Sequence, residues 1–370
     1  MPEDRAAGVR GKALRMKKRK KTFQISVGPV KIGGNAPISV QSMTTTDTRD
    51  ARATLAQIRR LERAGCEIIR VAVPDEAAAA ALPAIVKGAA IPVIADIHFN
   101  YRLALQSMSA GVHCIRINPG NIGSRQRLAA VVAKAKELGV AIRIGINSGS
   151  LEKDILKKYG HPAAEALVES ALRNIALVES MDFKRIKVSL KSSDVRATVD
   201  AYRLLSKKTR HPLHIGITEA GTAFSGTIKS AIGLGILLEE GIGDTLRVSL
   251  SADPVEEVRV GYEILKCLGL RKKGPELISC PTCGRCQIDV ISMANAIEKK
   301  LADFKLPIRI AVMGCEVNGP GEAKEADIGI AGSKRSGVIF KKGEIVKRCS
   351  KENLLADFLQ EIYAFKFLQD

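Results

Sequence analysis

The chain has 370 residues, with 58 Lys and Arg against 39 Asp and Glu, a formal net charge of +19, 46% hydrophobic residues and 26% charged residues. That balance is ordinary for a globular protein and excludes a disordered chain, a collagen-like repeat and a small disulfide scaffold. The length predicts two domains, or one large barrel with an appendage, and suffices to bury a full core without staples.

Residues 1–21 hold nine Lys/Arg and two Asp/Glu, and no apolar stretch follows them, so they do not read as a secretory signal. They read as a basic N-terminal tail, a solvated and mobile arm rather than a polyanion-binding one. No apolar run approaches the length of a bilayer span, so no membrane partner is expected. Aromatic residues make up 4% with no Trp, which argues against single-strand nucleic acid as a partner. The chain reads as cytoplasmic, and its eight cysteines as thiols or metal ligands rather than disulfides.

Eight short β-rich runs follow, at 37–43, 68–73, 92–99, 114–120, 141–148, 185–192, 213–220 and 245–252. Helical periodicity separates them, for instance over 51–64, 125–138, 163–178 and 255–268. Asp253-Pro254 is a helix start, and Gly65, Gly111 and Gly139 stand where helix C-caps are expected. The longest gap, between the fifth and sixth runs, predicts an extra loop or helix over 151–161. Eight strand–helix units predict an α/β fold, a TIM (β/α)8 barrel, over 22–270. An open doubly wound sheet fits less well, because the first run ends in Gln41-Ser42-Met43-Thr44-Thr45-Thr46 rather than a G-x-G-x-x-G loop.

Five of these runs carry a cation between apolar neighbours: Arg70, Arg116, Arg143, Lys187 and Arg247. Barrel strands are covered outside by helices and packed inside, and an unpaired buried cation costs several kcal/mol, so these side chains need anions. Period-two geometry puts Arg116 with Asn118, Arg143 with Asn147, Lys187 with Lys191, and Arg247 with Ser249 and Ser251. Each row runs toward the C-terminal end of its strand, where barrel active sites lie. Asp96 and His98 share a face, and Glu219 ends the seventh run; Asp96 and Glu219 could neutralise two of the cations. The remaining charge predicts an anionic small-molecule substrate, most simply a diphosphate held by Arg with Asn and Ser as neutral donors.

A charged Gly-Pro linker over 271–275 leads into a second domain, 276–370, read as small and α+β, with a helix near 288–301, strands near 308–313, 328–331, 338–341 and 344–348, and a helix near 352–367. It opens with Cys280-Pro281-Thr282-Cys283-Gly284-Arg285-Cys286, and a fourth sulfur, Cys315, lies in a Gly/Pro-rich loop. The spacing suits either a structural zinc ribbon or an iron–sulfur cluster. Cys66, Cys114, Cys267 and Cys349 read as packing residues.

Together these residues resemble the 4-hydroxy-3-methylbut-2-enyl diphosphate synthase family. The likeness is carried by Val40-Gln41-Ser42-Met43-Thr44, Ala95-Asp96-Ile97-His98-Phe99, Arg116-Ile117-Asn118-Pro119-Gly120-Asn121, Gly216-Ile217-Thr218-Glu219-Ala220-Gly221, Cys280-Pro281-Thr282-Cys283 and Val317-Asn318-Gly319-Pro320-Gly321-Glu322. It implies a TIM barrel followed by a ferredoxin/sulfite-reductase-like domain with a [4Fe–4S] cluster, and a homodimer. It also implies a cyclic diphosphate substrate and flavodoxin or ferredoxin as electron donor. By position it assigns the cluster to Cys280, Cys283, Cys315 and Glu322, whereas spacing alone favours Cys286 as the fourth ligand. It assigns the diphosphate to Arg70, Arg116, Asn118, Arg143, Asn147, Lys187 or Lys191, and Ser249 or Ser251. Arg247 belongs with them by its strand position. Glu219, with Asp96 and His98 nearby, is the expected proton-transfer group, and 271–275 the expected hinge.

Overall fold

The computed structural model describes residues 17–302, 304–315, 323–333 and 336–365. The chain divides into two compact units between Leu270 and Arg271.

The first unit opens with an antiparallel hairpin, β1 (Ile25–Val27) and β2 (Val30–Ile32). Eight parallel strands follow: β3 (Ser39–Met43), β4 (Ile68–Ala72), β5 (Val93–Asp96), β6 (Cys114–Ile117), β7 (Ala141–Asn147), β8 (Ile186–Lys191), β9 (His214–Ile215) and β10 (Thr245–Leu246). They pair in the order β8-β7-β6-β5-β4-β3-β10-β9, and a parallel bridge from Val188 to Leu213 joins the two ends. The expected barrel is therefore present, with every expected strand in place. β9 and β10 are ladders of only two residues.

Helices α1 (Ala51–Ala64), α2 (Glu76–Gly88), α3 (Tyr101–Ser109), α4 (Arg125–Leu138), α5 (Lys153–Tyr159), α6 (Ala164–Glu179), α7 (Val195–Lys208), α8 (Ala223–Glu239) and α9 (Pro254–Cys267) fill the connections. α5 is the extra element of the long gap. The caps follow local chemistry. Asp50 accepts from Ala53 N, Asp253 accepts from Val255 N, and Gly65 and Gly139 end their helices at φ 98° and 67°, a region that favours glycine.

The strands alternate as period two demands. Ile69, Val71, Ile115, Ile117, Ile142, Ile144 and Val188 face the helices in the main core. On the opposite, inward face, Ile68, Ile94, Cys114 and Ala141 pack against Ile25, Val27 and Ile32 of the hairpin. The hairpin thus closes the N-terminal end of the barrel, a plug that no strand periodicity announced.

The basic tail differs from its reading. Lys17 N donates to Glu239 O, Lys20 N donates to Gly241 O, and Arg19 pairs with buried Asp244 at 2.6 Å. From Lys17 on, the segment is docked on the barrel rather than free. Residues 1–16 lie outside the described residues.

The second unit is a five-stranded sheet, β11 (Glu276–Ser279), β12 (Arg309–Met313), β13 (Ile328–Gly332), β14 (Ser336–Lys341) and β15 (Glu344–Ser350), paired in that order. The first three strands are parallel and the last two pairings antiparallel. Helices α10 (Val290–Lys300) and α11 (Leu354–Ala364) cover one face through Val290, Ile297, Phe358 and Ile362. This is the expected α+β domain. β11 was not anticipated, being a four-residue strand at the sheet edge with no fully buried residue. Among the described residues no helix is long and apolar enough to cross a membrane.

Candidate functional site

Parallel register places Asp96, Arg116, Arg143 and Lys187 side by side on one rung across β5 to β8. All four are on the inward face and all are buried. One rung higher Gly145 is level with Ser189, and above that Asn147 is level with Lys191. Arg70 enters from β4, and Arg247 from the strand end after β10.

Asp96 is the main counter-charge. Its Oδ1 accepts from Arg116 Nη1 at 3.2 Å, and Arg70 Nε lies 3.8 Å from Oδ2. Burial alone would raise its pKa, but Arg70 and Arg116 outweigh burial and hold it well below the usual carboxylate range. Arg116 Nη1 also lies 2.8 Å from His98 Nε2, where the ring nitrogen is the acceptor because Arg only donates. The Asn147 amide fits with its oxygen toward Arg116 Nη2 at 3.2 Å and its nitrogen toward Ile146 O. Gly145 leaves the space Arg116 occupies, since a Cβ there would collide with Arg116 Nε.

The other cations are poorly matched. Arg143 Nε donates to Ser189 Oγ at 3.0 Å, but its Nη1 is buried without a hydrogen-bond partner among the described residues, as is Lys187 Nζ. Burial, aided by Arg143 and Arg70, pushes Lys187 down to about 8. Burial, then Arg247, Arg143, Arg70 and Arg116, pushes Lys191 well below the usual lysine range. Arg70 falls to about 10, chiefly through burial. Its Nε and Nη2 reach the neutral thioether of Met43, at 3.1 and 2.9 Å, which Arg247 Nη1 approaches at 3.7 Å. Two guanidinium groups therefore converge on one weak acceptor.

Asn118 Oδ1 caps the turn at Gly120 N, at 3.2 Å, and its Nδ2 is buried without a hydrogen-bond partner among the described residues, a donor available to a ligand. Ser249 is half-buried in the mouth, whereas Ser251 is exposed and bridges Thr222. His98 is exposed at the rim. Glu219 is exposed in the loop after β9 with φ 49°, and Phe99 after His98 has φ 62°. Left-handed backbone at two non-glycine residues stores strain of the kind found at functional sites.

One expectation needs correction. Asp96 does neutralise cations, but no ion pair joins Glu219 to any of them among the described residues. The second internal carboxylate is Glu257 of α9, paired with Arg247 at 3.2 Å. Its signal was available, because Pro254, Glu257, Val258 and Gly261 lie on the helix stripe that faces the barrel. Cys267 is also exposed rather than packed.

In the second unit Cys280 follows β11 and Cys315 follows β12, on parallel neighbours level at Ser279 and Val312. Gly314 N donates to Cys280 Sγ at 3.1 Å. A Cβ at Gly314 would lie 2.5 Å from Cys286 Sγ and 3.4 Å from Cys280 Sγ, so both sulfurs use the space glycine leaves. Cys283 is exposed, and Glu322 lies outside the described residues. Among the described residues no three His, Cys, Asp or Glu side chains are closed around one point. The donor set still fits an iron–sulfur cluster. Soft sulfurs come from the ends of adjacent strands, and a backbone N–H aims at one of them.

Comparison with known proteins agrees with both halves. The description GcpE TIM-barrel domain matches residues 22–262, and GcpE protein C-terminal domain matches 276–364. A Geobacter sulfurreducens protein named 4-hydroxy-3-methylbut-2-en-1-yl diphosphate synthase (flavodoxin) is 61% identical over 92% of this chain and 97% of its own length. Proteins of that name from Caldanaerobacter subterraneus subsp. tengcongensis and Desulfotalea psychrophila are 60% and 58% identical, over 94% and 93% of this chain and 98% and 95% of their own. Among solved structures, Yersinia pestis dihydropteroate synthase is similar at TM-score 0.48 and 12% identity, over 67% of this chain and 98% of its own. With barrel and C-terminal domain matched in order, this chain belongs to the GcpE family.

Proposed function

We propose that this protein is an enzyme of isoprenoid biosynthesis, the methylerythritol phosphate pathway, which converts 2-C-methyl-D-erythritol 2,4-cyclodiphosphate to 4-hydroxy-3-methylbut-2-enyl diphosphate by reductive ring opening and dehydration. The observation that carries the reading is the charge imbalance in the barrel. Arg70, Arg116, Arg143, Lys187, Lys191 and Arg247 meet two paired carboxylates, Asp96 and Glu257. A diphosphate supplies negative charge against that surplus, and relatives of near-equal length carry the name of this activity.

In this reading the six cations, with Asn118 Nδ2 and Ser249 or Ser251, hold the two phosphates. Asn147 keeps Arg116 in place. The low-dielectric barrel fixes the substrate before reaction and excludes water. Glu219, exposed in the loop after β9, hands a proton to the departing hydroxyl. Cys280, Cys283, Cys315 and Glu322 hold a [4Fe–4S] cluster. When bound, the cluster supplies the two electrons the reaction consumes, received from flavodoxin or ferredoxin. Closure about residues 271–275 is the movement expected to complete the site.

A cytoplasmic homodimer completes the proposal. All eight cysteines lie among the described residues and none is in a disulfide, which suits a reducing compartment. On α8, Phe224, Ile228, Ile232 and Ile236 are exposed at four-residue spacing, an apolar stripe suited to a second copy of the chain.

The test is iron, acid-labile sulfide and zinc content of oxygen-free protein, with turnover of the cyclic diphosphate by reduced flavodoxin. Four irons and four sulfides per chain, kept in Cys286→Ser and impaired in Glu322→Ala, are expected alongside turnover. One zinc without sulfide would sink the redox reading.

A further inference from the structure

Glu257 is almost fully buried, at 3% exposure, in the first turn of α9, and it touches three parts of the barrel mouth. Its Oε2 accepts from Arg247 Nε at 3.3 Å and from Ser42 Oγ at 3.0 Å. Its Oε1 accepts from Arg247 Nη2 at 3.2 Å and from Leu250 N at 3.1 Å. Four donors thus meet two oxygens, which uses the acceptor capacity of a carboxylate in full.

This geometry has a direction. A fork-to-fork pair takes the Nε and Nη2 edge of Arg247 and leaves Nη1 pointing away, toward Met43 Sδ and the Arg70 guanidinium beside it. Arg247 and Arg70 repel one another, and Met43 is neutral, so Arg247 would turn outward to solvent without an anchor behind it. The same carboxylate ties down Leu250, between Ser249 and Ser251, and Ser42, the neighbour of Met43. One side chain on a helix outside the barrel therefore sets an arginine, a serine-bearing loop and the end of β3.

We propose that Glu257 is a positioning residue for the substrate: it aims Arg247 at the diphosphate and holds the Ser249–Ser251 loop against it. The proposal rests on the reading of the mouth as a diphosphate site. Glu257 touches neither substrate nor reacting atoms, so its loss weakens binding rather than chemistry.

The experiment uses the full-length, cluster-loaded enzyme. Glu257→Gln, Glu257→Asp, Arg247→Met and the Arg247→Met/Glu257→Gln double variant are compared for affinity for the cyclic diphosphate by calorimetry, for KM and kcat, and for thermal unfolding. A charged hydrogen-bonded pair of this kind is worth roughly tenfold to a hundredfold in affinity. Glu257→Gln is expected to raise Kd and KM by about that factor, with kcat within about twofold. In the Arg247→Met background the same change is expected to add less than about twofold, because partners acting as a unit are not additive. Glu257→Asp, which keeps the charge but retracts it, is expected to fall between, and it decides the matter if the glutamine variant does not fold. Unchanged Kd in a folded Glu257 variant, or a full additive loss in the double variant, overturns the proposal. Wild-type enzyme that binds no cyclic diphosphate overturns the diphosphate reading itself, and the proposal with it.

Discussion

Arg143 Nε donates to Ser189 Oγ at 3.0 Å, while its Nη1 has no hydrogen-bond partner among the described residues. A half-satisfied guanidinium at 1% exposure costs the unliganded protein stability. Arg143→Met is therefore expected to unfold at the same temperature as wild type or higher, while losing about a hundredfold or more in affinity for the cyclic diphosphate. Thermal unfolding and calorimetry on one preparation check both halves. A variant less stable than wild type would mean that Arg143 serves the fold.

Asp96 works in the opposite sense. Its charge is paired with Arg116 and Arg70, so Asp96→Asn leaves both cations unmatched and is expected to cost about 3 kcal/mol or more in denaturant unfolding at neutral pH. Its folded pKa lies below the unfolded value, so its contribution is full above the ordinary carboxylate range and is lost as pH falls through the folded value. The gap between wild type and Asp96→Asn is thus expected to narrow only in strong acid.

Lys187 predicts a pH dependence of binding. In the unliganded site burial lowers its pKa to about 8, and a bound diphosphate favours the charged form. Below pH 8 the ammonium is already present. Between about 8 and the ordinary lysine value near 10.5, binding must recruit a proton, so affinity is expected to fall as pH rises, by up to about tenfold per pH unit. Calorimetry at pH 9 in buffers of different ionisation enthalpy is expected to show proton uptake, smaller in Lys187→Met, where Lys191 is left to supply the remainder.

The α8 stripe predicts assembly. Ile232, at 52% exposure, lies on it between Ile228 and Ile236. Ile232→Glu would place a charge in an apolar contact and is expected to shift the protein from dimer to monomer in light scattering, with its circular dichroism unchanged. A wild-type monomer, or a variant that dimerises as wild type does, removes this face from the proposed interface.

Much of the barrel was legible because its signals are local. Helices such as Ala51–Ala64 and Arg125–Leu138 follow from period, N-cap and glycine together. The cations stood out because Ile-Arg-Ile and Ile-Lys-Val contradict a buried strand, and only a function explains the contradiction. The β1–β2 hairpin and β11 were not legible. Each is three or four residues long, and each exists because a neighbouring surface receives it.

Amino-acid order by itself determined the eight strand–helix units, the inward rows of basic residues and the sulfur-bearing loop, since each depends on spacing along one segment. Tertiary structure alone decided which charges meet. Strand register set Asp96, Arg116, Arg143 and Lys187 on one rung. The packing of α9 on the barrel, not any feature of the strand ends, made Glu257 rather than Glu219 the partner of Arg247. Pairing of charges falls off within a few ångströms, and residues that close are brought together across the chain by packing.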